Sequence, residues 1–214
     1  MLLISDPKVL QVPIQDNGEE LADLRELKEL SIDPRKASVS RSVYFVRKSV
    51  ATRLLQSTKN LPNHYRLLII EGHRPLTLQK EYFEEYSREL MGLHPDWDRD
   101  RVFKEASKYV APPATIPPHS TGGAIDLTLV SAQGIELDMG TRVNAAPEES
   151  KNACFTEAKD ISSIARSNRD LLIRAMTSAG FVNYPCEWWH WSYGDRYWAF
   201  VSQRPSAFYG SIDG

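Results

Sequence analysis

The stretch PPHSTGGAIDLTL, residues 117–129, places His119 on a glycine-rich bend and Asp126 inside an apolar strand. Side chains alternate between the two faces of a strand, so Asp126 lies on the face opposite to the isoleucine and leucines around it. A buried carboxylate is costly unless hydrogen bonds or a cation hold it. Either Asp126 lies on a solvated face of the strand, or it binds a cation that His119 also binds.

The length and composition of the chain indicate one globular domain. The chain has 214 residues, of which 42% are hydrophobic and 25% are charged, and these values are ordinary for a folded protein. We expect a single domain over residues 1–214, with a turn-rich N-terminal segment at residues 1–20 and a C-terminal tail from about 203 to 214. A formal net charge of −2 argues against a nucleic acid partner, because proteins that follow a nucleic acid backbone normally carry a basic excess or stripe.

No segment of the sequence predicts export or a membrane partner. The N-terminal apolar run ends at Asp6 and Pro7 and has no basic segment before it. No stretch approaches the roughly 18 apolar residues of a membrane span. Two cysteines, Cys154 and Cys186, are too few for a disulfide framework and fit a reducing compartment. The sequence therefore predicts a cytoplasmic protein, and no pattern in it specifies an oligomeric state.

Hydrophobic periodicity and turn residues predict a mixed order of helices and strands. The predicted helices lie within residues 19–33, 42–60, 76–93, 94–110 and 163–180. The predicted strands lie at residues 67–70, at 124–130 and in the aromatic segment 181–194. Within the third helix, the acidic run EYFEEYSREL (81–90) is predicted to be a solvated face. This order indicates an α+β fold rather than a regular βαβ alternation.

Two histidines lie beside carboxylates at spacings that suit a metal site, since His119 precedes Asp126 and Glu187 precedes His190. A catalytic zinc ion takes three nitrogen, oxygen or sulfur ligands from the protein and keeps a fourth position open. His119, Asp126 and His190 would supply such a set. In an ideal strand residues 187 and 190 point to opposite faces, so both can address one metal only near a twist, a bulge or a turn.

Each of these pairs alone is common by chance, but four motifs place them in a family context. The motifs are EGHRP (71–75), HSTGGAIDLTL (119–129), DMGT (138–141) and AGFVNYPCEWWHW (179–191). Together they resemble the zinc D-alanyl-D-alanine dipeptidases, the VanX-type branch of a wider DD-peptidase and Hedgehog-like fold, over residues from about 40 to 198. The resemblance implies a single α+β domain with a small, mostly antiparallel central sheet packed by helices, and a zinc site in a cleft.

The resemblance also implies a role for each residue of the site. One zinc ion per chain would be bound by His119, Asp126 and His190, Glu187 would be the catalytic acid and base, and Arg74 would stabilise the transition state. The chemistry of these groups agrees with the roles. Zinc polarises a carbonyl and lowers the pKa of a bound water, a neighbouring carboxylate can move the proton of that water, and a guanidinium suits a developing oxyanion.

Five further residues are candidates for substrate binding. Pro117 stands where relatives of defined dipeptide specificity carry a serine that helps to hold the substrate carboxylate. Asn144 is aligned with an aspartate that pairs with the free amine of the substrate, so the hydrogen bond is kept and the charge is lost. His73 stands where a tyrosine is frequent and is predicted to line the cleft. Glu71 either pairs with Arg74 or the zinc shell or is an ordinary loop carboxylate, and Trp189 is predicted to wall the pocket.

Three functions are compatible with these residues. The first is a dipeptidase that hydrolyses D-Ala-D-Ala and similar small D,D-dipeptides with a zinc-activated water. The second is a DD- or LD-carboxypeptidase that acts on longer muropeptides, which the lost charge at Asn144 would permit. The third is a zinc-stabilised binding module without turnover. Glu187 and Arg74 argue against the third, because a structural zinc site is usually closed by four protein ligands and needs no base.

Overall fold

The computed structural model describes residues 2–212 as seven strands, seven α-helices and five short 3-10 helices. The strands are β1 (Leu21–Asp23), β2 (Ser31–Ile32), β3 (Phe45–Arg47), β4 (Tyr65–Glu71), β5 (Ala124–Ser131), β6 (Val182–Tyr184) and β7 (Glu187–Ser192). The α-helices are α1 (Pro7–Leu10), α2 (Lys48–Thr58), α3 (Leu76–Leu93), α4 (Arg99–Ala106), α5 (Pro147–Ser150), α6 (Ser163–Ser178) and α7 (Arg196–Val201).

Five of the strands form the central sheet, in the order β2-β4-β5-β7-β6. Only the β2–β4 pair is parallel, and the other neighbours are antiparallel. The remaining strands, β1 and β3, form a separate antiparallel pair. This arrangement confirms the predicted α+β fold with a small, mostly antiparallel sheet. Because β5 is the middle strand, Asp126 has a paired strand on each side of it.

The main core lies on the face of the sheet that carries the aliphatic side chains of the central strands. Leu67 and Ile69 of β4 and Leu127 and Leu129 of β5 are fully buried there, and Leu172 of α6 belongs to the same cluster. Burying a leucine or isoleucine side chain contributes about 1.5–3 kcal/mol each. The core therefore holds β4 and β5 rigidly, and the polar residues on the opposite face of β5 are fixed with them.

Two irregularities interrupt the ladder near the same end of the sheet. The register between β4 and β5 shifts between Ile69 and Glu71, where Glu71 comes to lie opposite Asp126. The register between β6 and β7 shifts between Asn183 and Tyr184. Such bulges redirect side chains relative to the regular alternation of a strand. Both bulges lie beside the polar residues that the sequence singles out.

The helix predicted for residues 19–33 is wrong. This segment forms β1, a 3-10 turn at Leu24–Glu26 and β2, and it continues into a 3-10 helix at Pro34–Lys36. Strand β2 pairs with β4, and this long-range pairing overrides the weak local helix propensity of the leucines. The helix predicted for residues 42–60 is correct only from Lys48 onwards, because Phe45–Arg47 is the strand β3 that pairs with β1.

The other predicted elements are confirmed. Asp98 caps α4 by accepting a hydrogen bond of 2.8 Å from the backbone of Arg101. Gly180, with φ +86°, follows α6 in a left-handed conformation that glycine adopts without strain. Near the C-terminus, the backbone N–H of Ile212 donates to the carbonyl of Ser120 at 2.8 Å, so the end of the described chain is tied to the histidine loop. Within residues 2–212 no helix is long and apolar enough to cross a membrane.

Candidate metal centre and active site

Three buried side chains from different parts of the chain converge at one point. His119 comes from the 3-10 helix Pro118–Thr121, Asp126 from β5 and His190 from β7. The Nε2 atom of His119 lies 3.3 Å from Oδ1 of Asp126, and Nδ1 of His190 lies 3.1 Å from the same oxygen. The two ring nitrogens are 3.1 Å apart. These residues form a metal-binding group.

The spacing of these three atoms fits a tetrahedral zinc ion. Ligand atoms bound tetrahedrally at about 2.0–2.1 Å from zinc lie about 3.3 Å from one another, and the three separations here are 3.1, 3.1 and 3.3 Å. Two imidazole nitrogens and one carboxylate oxygen are also donors that zinc accepts. The donor set therefore fits zinc in chemistry and in size, and the group found within residues 2–212 has three members, which leaves the fourth tetrahedral position to another ligand.

The orientation of His119 is fixed by a carbonyl of the neighbouring loop. Its Nδ1 atom lies 2.7 Å from the backbone oxygen of Gly72, so the Nδ1–H donates there and Nε2 presents its lone pair to the metal site. Gly72 can supply this carbonyl because its Cα lies against β3. A Cβ at this position would meet the backbone oxygen of Phe45 at 2.6 Å. Gly122, with φ +69°, then turns the chain from the histidine into β5.

Asp126 and His190 face each other directly across the β5–β7 ladder. Burial of the Asp126 carboxyl would raise its pKa, but His119 and His190 outweigh burial and hold the pKa well below its usual value. The second ring nitrogen of His190, Nε2, lies 3.5 Å from the hydroxyl of Ser192. The two imidazoles therefore favour the ionised form of Asp126, and this is the form in which a carboxylate binds a metal.

The irregularity between β6 and β7 brings Glu187 to the same site as His190. The amide nitrogen of Asn183 donates to the backbone carbonyls of both Glu187, at 3.1 Å, and His190, at 3.0 Å. Its amide oxygen accepts from Thr156 at 2.5 Å. One side chain thus joins the backbones of Glu187 and His190 where the register shifts, and at such an irregularity these two residues need not alternate between faces.

Glu187 lies beside the three converging atoms without being one of them. Its Oε2 atom is 3.9 Å from Nδ1 of His190. Burial raises the pKa of the Glu187 carboxyl to about 7, His190 opposes this rise, and the charge of Asp126 adds to it. A carboxyl with a pKa near neutrality can both accept and return a proton.

Arg74 lies close to Asp126 and is held in place by hydrogen bonds to two other side chains. Its Nε and Nη2 atoms donate to the two oxygens of Glu71 at 2.7 and 3.0 Å, and Nη1 donates to Gln79 at 2.9 Å. Nη2 is also 3.9 Å from Asp126. Burial would raise the pKa of Glu71, but the charge of Arg74 outweighs burial and lowers it to about 2. The guanidinium is fixed at the metal centre by a fully ionised partner.

A second cation contacts Glu71. The ammonium of Lys36, at the end of the 3-10 helix Pro34–Lys36, forms an ion pair with Oε2 of Glu71. Lys36 and Arg74 also both lie over the ring of Tyr82 on α3, at 5.5 and 4.9 Å from its centroid. Three polar side chains and one ring therefore form a continuous cluster on the β4 side of the metal centre.

These groups open into a cavity of about 440 Å³. Of the residues predicted from the sequence, its wall contains His119, Asp126, His190, Glu187, Arg74, Asn144, Pro117 and Trp189. His73 and Glu71 are not in the wall. Both are buried, and Glu71 is reached from the cavity through Arg74 and Lys36.

Several residues of the wall were not predicted. The charged side chains of the acidic run of α3 are exposed, as predicted, but Tyr82, Glu85, Tyr86 and Glu89 of this run also line the cavity. Their spacing of three and four residues on a helix is a signal that could have identified one common face. No comparable signal marks Lys36, which reaches the site only because β2 pairs with β4.

Comparison with known proteins places this geometry in a family. The sequence profile of the D-ala-D-ala dipeptidase family matches residues 35–209. The D-alanyl-D-alanine dipeptidase of Synechocystis is 31% identical over 238 aligned residues, which cover 95% of this chain and 96% of that protein.

Two solved structures have a similar fold. VanYB in complex with D-alanine-D-alanine has a TM-score of 0.51 and 17% identity, and covers 92% of this chain and 93% of its own. A mutant of the vancomycin resistance D,D-pentapeptidase VanY, in complex with Zn(II), has a TM-score of 0.50 and 16% identity, and covers 94% of this chain and 96% of its own. At these identities the likeness concerns the fold.

Proposed function

This chain belongs to the D-Ala-D-Ala dipeptidase family of metallopeptidases, and we propose that it is a zinc-dependent dipeptidase that hydrolyses D-Ala-D-Ala and similar small D,D-dipeptides. The observation that carries the proposal is the convergence of His119, Asp126 and His190 at zinc-ligand spacing, with Glu187 3.9 Å from His190 and Arg74 3.9 Å from Asp126. A purely structural metal site would need neither of these two flanking groups.

One zinc ion per chain would be held by Nε2 of His119, Oδ1 of Asp126 and Nδ1 of His190. Zinc bound there would supply Lewis acidity, which lowers the pKa of a bound water and polarises the scissile carbonyl. Two of the three ligands are held in a form that binds zinc. The Gly72 carbonyl fixes the tautomer of His119, and the two imidazoles favour the ionised form of Asp126.

Glu187 would move the proton in the reaction. Hydrolysis of the amide requires a proton to leave the attacking water and a proton to reach the nitrogen of the departing D-alanine. The carboxylate of Glu187 would take the first and return it to that nitrogen, so the residue ends the cycle in its starting state. Its position 3.9 Å from His190, and a pKa raised to about 7 by burial, support this role.

Arg74 would bind the oxyanion that develops on the scissile carbonyl. Its guanidinium is largely withdrawn from solvent at the wall of the cavity, 3.9 Å from Asp126, and is already held by Glu71 and Gln79. A donor that is fixed before the reaction stabilises developing charge without the cost of reorganisation. Arg74 is therefore placed to act on the transition state more than on the ground state.

The two ends of the substrate would meet Asn144 and Pro117, with Trp189 as a further wall. Asn144 offers the substrate amine a neutral acceptor, and Pro117 offers the substrate carboxylate no donor.

The size of the cavity, about 440 Å³, is typical of sites for drug-sized ligands and favours a second candidate function. This candidate is a DD- or LD-carboxypeptidase that releases D-alanine from longer peptides of the cell wall.

One assay separates these functions. The zinc-loaded protein is incubated with D,D-, L,D- and L,L-dipeptides, with N-acetylated D-Ala-D-Ala and with longer peptides that end in D-Ala-D-Ala, and the released amino acid is measured. The proposal expects the highest kcat/KM with free D,D-dipeptides. Preference for the longer peptides would establish the carboxypeptidase instead. Binding of zinc with no hydrolysis of any substrate would leave a binding module.

A further inference from the structure

The cluster of Lys36, Glu71, Arg74 and Tyr82 holds a cation that the mechanism above does not use. The side chain of Glu71 is 0% exposed, and those of Lys36 and Arg74 are 17% and 12% exposed. Lys36 lines the same cavity as Arg74. An ammonium that is mostly withdrawn from water and kept at a reaction site must be compensated by an interaction there.

Lys36 changes the net charge of the cluster around Arg74. Both oxygens of Glu71 accept hydrogen bonds from Arg74, at 2.7 and 3.0 Å. A bidentate pair of this kind is geometrically well defined, but the carboxylate also cancels the guanidinium charge that should act on the oxyanion. Lys36 contacts the same carboxylate. One anion is then shared by two cations, and the cluster keeps a net charge of +1.

The charge that Lys36 adds to the cluster acts strongly because the surroundings have low polarity. Glu71 is fully buried, Arg74 is largely buried, and Arg74 and Lys36 both lie over the ring of Tyr82, so water screens their charges poorly. Without Lys36 the pair of Glu71 and Arg74 would be a neutral dipole. With Lys36 it presents a whole positive charge toward the cavity while Glu71 still fixes the orientation of Arg74.

We infer that Lys36 is a positioning residue for catalysis, which neutralises Glu71 so that the charge of Arg74 remains available to the transition state. This inference rests on the proposed function. It predicts that Lys36 affects kcat through Glu71 and Arg74, with little effect on the binding of the uncharged scissile amide.

The test is a double-mutant cycle in the zinc-loaded enzyme with D-Ala-D-Ala. Lys36→Met should lower kcat by about tenfold or more and change KM by less than about threefold. Removal of a direct oxyanion donor lowers kcat by about 10² to 10³, and the effect of Lys36 should be smaller because it acts through Glu71 and Arg74. Lys36→Arg should recover most of the loss. In the Glu71→Gln background, which has no carboxylate to neutralise, Lys36→Met should change kcat by less than about threefold.

A second measurement does not depend on turnover. A phosphinate analogue of the dipeptide carries the negative charge of the transition state, so Lys36→Met should weaken its binding by about tenfold, as measured by calorimetry. Lys80→Met is the matched control. Lys80 is an exposed lysine on α3 that pairs with Glu84 at 3.8 Å and should leave kcat and phosphinate affinity unchanged. Thermal denaturation and zinc content of every variant identify folding defects.

Three results would overturn the inference. A rise in KM with unchanged kcat would assign Lys36 to ground-state binding of the substrate carboxylate. An equal loss on Lys36→Met in both backgrounds would show that Lys36 acts independently of Glu71. Wild-type kcat and phosphinate affinity in Lys36→Met would show that it has no catalytic role. If the wild-type enzyme does not hydrolyse D-Ala-D-Ala, the proposed function fails first, and the two failures are thereby distinguished.

Discussion

The Nε2 atom of His119 lies 3.1 Å from the Nδ1 atom of His190, although 71 positions separate the two residues in the chain. Because Nδ1 of His119 donates to the Gly72 carbonyl, its Nε2 atom carries a lone pair, and the carboxylate of Asp126 completes the triangle. Such a concentration of acceptor atoms in a buried place is stable when a cation holds it.

We therefore predict one zinc ion per chain. Elemental analysis of the purified protein should give close to one zinc, and His119→Ala and His190→Ala should each lose most of it. His64→Ala is the control, because His64 is exposed and outside the cavity. Chelation should also lower the melting temperature of the wild type, since a ligand that binds only the folded state stabilises it. Full zinc content in both ligand mutants would refute the assignment.

Glu187→Gln should separate metal binding from turnover. The substitution keeps the size of the side chain and removes its ability to take a proton, so zinc content should remain near the wild-type value. The turnover number should fall by about 10² to 10⁴, the usual contribution of a general acid or base. Glu157→Gln, at an exposed carboxylate, serves as the control. A mutant that loses zinc, or one that keeps normal turnover, would exclude Glu187 as the proton carrier.

Asn183→Leu should disturb the geometry of the site without removing a functional group. The Asn183 amide is what joins the backbone carbonyls of Glu187 and His190 at the register shift. Its loss leaves two half-buried carbonyls without this donor, at a cost of about 1–3 kcal/mol for each buried group. We expect lower kcat and weaker zinc affinity together. Asn183→Asp, which retains the size but not the donor, should have a similar effect. Wild-type kinetics in both mutants would show that the shift is maintained by other contacts.

Asn144→Asp should sharpen the demand for a free substrate amine. Asn144 lines the cavity with φ +59°, a conformation that aspartate also tolerates. A carboxylate facing an ammonium forms a charge-assisted bond, about twice as strong as a neutral one. The ratio of kcat/KM for free over N-acetylated D-Ala-D-Ala should therefore rise. An unchanged or lower ratio would mean that Asn144 does not contact the amine.

Arg169→Met should destabilise the protein strongly. Arg169 is buried on α6 and donates to the backbone carbonyls of Met139, Ala153 and Phe155 at 2.8, 2.7 and 2.6 Å, which fixes the loop around the cavity. The change leaves these carbonyls unsatisfied, at about 1–3 kcal/mol each.

The free energy of unfolding in that variant should fall by about 3 kcal/mol or more, or roughly 6–12 °C in melting temperature for a protein of this size. Chemical denaturation measures the first quantity and calorimetry the second. Arg174→Met, at an exposed position of the same helix, should change stability by less than about 0.5 kcal/mol. Comparable losses in both variants would mean that Arg169 contributes no more than an ordinary surface arginine.

Local sequence alone determined the elements that depend on near neighbours. The alternation around Asp126 predicted a strand with its carboxylate opposite the leucines, and β5 has this form because the period of a strand is fixed by its backbone. The glycine-rich bend after His119 and the long amphipathic pattern of α3 are equally local. Residue types made His119, Asp126 and His190 candidates for a metal-binding group, and the four family motifs selected them, because each pair alone is common by chance.

Tertiary structure decided what depends on distant pairing. Leucines at helical spacing in residues 19–33 became β1 and β2, because a weak propensity of a few tenths of a kcal/mol per residue yields to strand pairing and burial. The pairing of β2 with β4 also brings Lys36 into contact with Glu71. The register shift at Asn183, which lets Glu187 and His190 face one site, likewise has no local signal. Such relations are fixed only when remote segments pack together, since the free energy that holds them belongs to contacts between segments and not to either segment alone.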